Sequence, residues 1–75
     1  MIHMNLDNYS KEKLWSILVE TAKANVMYPT HKAYTRDTLF RENTDITADE
    51  LSMRLNMTIG EALVILDELK PEIKN

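Results

Sequence analysis

The stretch Ile46-Thr47-Ala48-Asp49-Glu50-Leu51-Ser52-Met53-Arg54-Leu55-Asn56-Met57-Thr58-Ile59-Gly60-Glu61-Ala62-Leu63-Val64-Ile65-Leu66-Asp67-Glu68-Leu69 writes a short helix, a tight turn and a longer helix. Thr47 stands three residues before Glu50, and Thr58 three before Glu61. That is capping-box spacing, in which the hydroxyl and the carboxylate each take a backbone N–H at a helix start. Each Thr also follows an apolar residue, Ile46 or Met57, that can pack on the fourth helical residue, Leu51 or Ala62. Asn56 stands where the first of the two helices should stop, since Asn tolerates the left-handed conformation that ends a helix.

The apolar residue followed by a hydroxyl recurs upstream, as Tyr9-Ser10 with Leu14 and Tyr34-Thr35 with Leu39. Four starts predict an all-α chain of four short helices, at about 11–25, 35–42, 48–55 and 59–70, with Thr30 as the other candidate start for the second. In the first helix, Leu14, Trp15, Ile17, Leu18, Val19 and Ala22 cover an arc of roughly 200° at 100° per residue. It therefore reads as the central core helix anchored by Trp15, or as a core helix whose Trp15 and Val19 flank is shared with a second subunit. Residues 26–34 read as a connector, because Pro29 disfavours helical geometry at Tyr28. The expected core faces are Leu39 and Phe40 on the second helix, Ala48, Leu51 and Leu55 on the third, and Ala62, Ile65, Leu66 and Leu69 on the fourth, which Pro71 should end.

Seventy-five residues make one domain, expected over 10–71, after a flexible 1–9 and before a tail at 72–75. His3-Met4 is what a common cloning site encodes, so residues 1–3 are given no role. A domain of this size buries only about 60% of the surface its unfolded chain exposes, which keeps its stability margin small. No cysteine is present, which removes disulfides and thiolate metal sites and fits a reducing compartment. The apolar runs are too short to cross a bilayer and no charged-then-apolar leader precedes them, so a cytoplasmic protein without membrane contact is expected.

The opening stretch resembles the helix-turn-helix superfamily, winged-helix regulators included. The matching residues are Leu51, Ser52, Leu55, Asn56, Met57, Thr58, Ala62, Leu66 and Leu69, about a third of the chain. The resemblance implies a tri-helical regulatory domain that binds DNA, with the fourth helix entering the major groove. Carried onto this chain, the reading positions are Ile59, Gly60, Leu63, Val64 and Asp67, none of them Lys, Arg, Asn or Gln. Only five residues follow Lys70, too few for a C-terminal wing.

Charge divides the chain. Residues 1–41 hold six Lys/Arg against four Asp/Glu, and residues 42–75 hold three against eight, for a total of −3. The basic residues that could hold phosphates are Lys32, Arg36 and Arg41, interleaved with Tyr28 and Tyr34, with Thr58 at the start of the recognition helix. DNA binding through these residues ranks slightly first, by analogy with the resemblance. The alternative is a protein-interaction or dimerisation module built on the apolar flank Ile59, Leu63 and Val64 together with Trp15.

An enzyme is not expected. His31 has no nucleophile nearby in sequence, and the acids Asp45, Asp49 and Glu50 sit at a helix start without the loop spacing of a calcium site. No cofactor, metal or small-molecule substrate is expected either, and the single Gly rules out a glycine-rich phosphate loop.

Overall fold

The computed structural model describes residues 10–73, and side chains as far as Lys70. It is all-helical, with no strand among the described residues. Four helices follow one another: α1 (Lys11–Lys23), α2 (residues 28–42), α3 (Ala48–Leu55) and α4 (Ile59–Ile73). The expectations for residues 1–9 lie outside the described residues.

At three of the four expected starts the expected hydroxyl caps the helix. Ser10 Oγ accepts from the Lys13 N–H at 3.1 Å, and Thr58 Oγ1 from the Glu61 N–H at 3.1 Å. At α3 the capping box is complete, since Thr47 Oγ1 accepts from the Glu50 N–H at 3.2 Å while the Thr47 N–H donates to Glu50 Oε1 at 3.1 Å. Ile46 and Leu51, its staple pair, are both buried. The turn that follows closes as expected. Asn56 adopts φ 54°, ψ 51°, in the left-handed region. The Met57 N–H returns to the Ser52 carbonyl at 3.1 Å, and the Ser52 hydroxyl donates to the Met57 carbonyl at 2.6 Å.

The second helix starts at neither Thr30 nor Thr35. It begins at Tyr28, because Pro29 falls in the first turn, where its missing N–H costs nothing. Thr35 is buried inside the helix instead of capping it, and its hydroxyl donates back to the His31 carbonyl at 2.7 Å. From Thr35 to Leu39 the helix widens into one π turn before Phe40–Glu42 resume the α form. Two further boundaries move: α1 stops at Lys23 rather than Asn25, and α4 runs three residues past Lys70, through Pro71.

The centre of the molecule is α4 and not α1. Ala62, Val64, Ile65, Leu66 and Leu69 are all buried, and so is Glu61. Apolar residues nearly all round α4 are what a helix enclosed by neighbours requires. It packs against α1, α2 and α3. Leu39, Phe40, Leu51 and Met57 complete the core from the other elements. By contrast α1 buries only Ala22, with Leu14, Ile17, Leu18 and Val19 half-buried and Trp15 36% exposed. The wide apolar arc of α1 is therefore only partly covered, and Trp15 is not a core anchor. The two helices approach closely at Gly60, where a Cβ would stand 2.8 Å from Leu18 Cδ1.

Replacing Thr47 with Ala should cost on the order of 1 kcal/mol. Replacing Asn56 with Ala should cost about 1–2 kcal/mol through the left-handed backbone, and replacing it with Gly should cost none of that. Urea denaturation of the three variants checks the ranking; equal midpoints for the Ala and Gly variants at 56 would contradict it.

Candidate functional site

The sequence offered two candidate sites, a basic one on α2 and an apolar one on α4 and α1. The structure treats them differently. On α2, Lys32 is half-buried and donates to Glu68 Oε1 at 3.2 Å. Arg36 lies along its neighbour Asp37, with Nε and Nη2 at 2.9 and 3.3 Å from the two carboxylate oxygens. Those hydrogen bonds hold the Asp37 carboxyl below its ordinary value against a smaller effect of burial, and the Arg41 charge adds to the lowering. Arg41 is exposed, and Thr58 is engaged as the cap of α4. Tyr28 is buried while Tyr34 is exposed, so the aromatic residues do not share one surface. Carboxylates thus answer two of the three cations, Lys32 and Arg36, that a phosphate backbone would need.

One of those carboxylates, Glu68, belongs to a polar seam that the sequence did not reveal. Glu68 receives Lys23 Nζ at 2.9 Å, Lys32 Nζ at 3.2 Å and the Tyr28 hydroxyl. Burial pushes the Glu68 carboxyl up, but the three donors outweigh it and bring the pKa down to about 2. Two turns earlier on the same face of α4, Glu61 is only 2% exposed. It accepts from Asn25 Nδ2 at 3.0 Å, and its other oxygen lies 2.7 Å from His31 Nδ1. Asn25 also accepts the Met27 N–H on its side-chain oxygen at 2.8 Å, so it fixes the corner between α1 and α2. Because Glu61 turns inward, the second half of its expected capping box does not form.

On the apolar side, Ile59 and Leu63 are 51% and 44% exposed, as expected of that flank. Val64 is not part of it. It is fully buried, since α1 crosses α4 on that side. Leu63 instead joins Trp15 across a groove of about 440 Å³ whose remaining apolar lining is Ile46, Ala48 and Leu66. Asp45, Thr47, Asp67 and Lys70 form its polar edge. The groove thus draws on α1, the start of α3 and the outer face of α4. A smaller cavity of about 120 Å³ lies between α1 and the start of α4, against Asn25 and Glu61.

Comparison with protein-family models, curated proteins and solved structures returns no match. The geometry alone carries the functional reading. Among the described residues no group of three or more His, Cys, Asp or Glu is placed to hold a metal ion, and no helix is long and apolar enough to cross a membrane.

The seam has a pH signature. A carboxyl whose folded pKa lies near 2 against an ordinary 4.5 stabilises the fold above the higher value and loses that contribution as pH falls toward the lower. Stability measured by urea denaturation should therefore decline between about pH 4.5 and pH 2, and Glu68→Gln should flatten that part of the curve. An acid limb of equal steepness in the variant would show that Glu68 is not responsible.

Proposed function

We propose that this chain is a small helix-turn-helix-type domain that works as a protein-interaction module in the cytoplasm, taking a partner segment into the groove between Trp15 and Leu63. The observation that supports the reading most is the convergence of these two exposed apolar side chains, 48 positions apart in sequence, on one concave surface. Scattered apolar residues on a surface need no explanation, but a lined groove with a polar edge is a common form of recognition site.

Charge supports the same reading over DNA. Lys32 and Arg36 already face Glu68 and Asp37, and the outward stripe of α4 runs Ile59, Leu63, Asp67 before its one cation, Lys70. A duplex approaching that stripe meets a single cation, Lys70, beside the Asp67 carboxylate, and phosphate attraction supplies most non-specific DNA affinity. The α3, turn and α4 unit is read as the helix-turn-helix scaffold turned to protein contact, since one fold serves many functions.

A displayed library of random peptides, selected on the wild-type protein, tests the proposal. Enriched sequences should bind wild type and lose at least tenfold in affinity to Trp15→Ala and Leu63→Glu, about 1.4 kcal/mol. Enrichment that ignores both substitutions would overturn the reading. So would amide shift changes at Lys32, Arg36 and Arg41 on addition of mixed duplex DNA at physiological salt.

A further inference from the structure

The reading of the groove as a protein-contact site can be carried to the chemistry of its occupant. Its apolar residues come from three helical elements and the connection before α3. None of the described residues forms a strand, so no strand edge offers the groove's occupant backbone N–H and C=O groups. A segment lying against apolar side chains must then satisfy its own backbone polar groups, and a helix does so internally.

The edge of the groove supplies the second part. Asp45 and Asp67 both line it, one from the connection between α2 and α3 and one from α4, a turn beyond Leu63. Among the described residues neither carboxylate has an ion pair or a side-chain hydrogen bond, whereas Glu61, Glu68, Glu50 and Asp37 are all engaged. Lys70 stands at the same edge, so two anions outnumber one cation around an apolar floor. The surrounding half of the chain, with eight acids against three bases, has the same sign.

We infer that the occupant is an amphipathic helix of a partner protein, with apolar side chains seated between Trp15 and Leu63 and Lys or Arg on its flanks facing Asp45 and Asp67. The inference rests on the groove reading above and adds to it a conformation and a sign of charge. Electrostatic complementarity of this kind sets partner choice and association rate more than it sets affinity.

The test uses three fluorescein-labelled synthetic peptides in anisotropy titrations at low and physiological salt. One is a Leu/Lys amphipathic helix with Leu at i, i+3, i+4 and i+7; the second carries Glu in place of Lys; the third is the Leu/Lys peptide with a central Pro. The Leu/Lys peptide should bind wild type about tenfold more tightly than the Leu/Glu peptide at low salt, with the gap narrowing at physiological salt. Asp45→Lys combined with Asp67→Lys should reverse the preference, and the central Pro should abolish binding. Leu63→Glu should weaken the Leu/Lys peptide even though it adds a negative charge, which separates seating in the groove from general attraction to an acidic protein. All the substituted residues are exposed on the groove's rim or wall, and circular dichroism checks that each variant stays folded. Equal binding of the Lys and Glu peptides, or unreversed preference in the double variant, overturns the charge assignment while the library selection still stands or falls by itself. Undiminished binding of the Pro peptide overturns the helix, and undiminished binding to Leu63→Glu, or no binding by the Leu/Lys peptide, overturns the whole inference.

Discussion

A carboxyl group taken out of water must find polar partners, and in this chain Glu61 finds two from outside its own helix. Asn25 reaches it from the corner between α1 and α2, and His31 from the first turn of α2. Leaving such a buried group without its partners costs several kcal/mol, a large part of the margin expected of so short a domain. The contact therefore fixes where α1 ends and where α2 begins relative to α4. Glu68 repeats the arrangement two turns on with Tyr28, Lys23 and Lys32, and Val64 and Ile65 are buried on α4 between the two carboxylates. The seam lets one helix be enclosed by polar and apolar neighbours at once.

That arrangement also shapes what the surface can do. Once Lys23 and Lys32 turn toward Glu68, and Arg36 lies along Asp37, much of the positive charge in the first half of the chain faces the protein's own acids. The seam draws α2 and the end of α1 onto one side of α4, while Trp15, on the earlier part of α1, is left beside Leu63 on the outer side. The open groove and the neutralised basic residues thus follow from the same placement of α4.

The parts of this fold legible in sequence are those decided within a few residues. Ser10, Thr47 and Thr58 cap their helices, Asn56 takes the left-handed turn, and Leu51, Ala62, Ile65, Leu66 and Leu69 face the core. Each depends on a local spacing or a helical period. Pro29 and Thr35 misled because each has two uses, a helix breaker or a first-turn residue, and a cap or a hydroxyl bonded four residues back. The seam left no local trace, since Asn25 and Glu61 are 36 positions apart and Tyr28 and Glu68 are 40. The wheel placed Val64 outward beside Leu63, and only the crossing of α1 at Gly60 turns that side inward. For the site, the period of α4 found Leu63 and the width of the α1 arc found Trp15. Neither showed that the two share a groove.

The central claim is that α4 holds the middle of the molecule and leaves Trp15 on the open wall of a groove. Trp15 is the only tryptophan, so its fluorescence reports on that wall alone. Acrylamide quenching of the dilute, folded protein tests the claim most directly. The structure calls for red-shifted emission that acrylamide reaches readily without unfolding. A blue-shifted emission that acrylamide reaches only on denaturation would contradict it, because Trp15 would then be the core anchor and the groove would be closed.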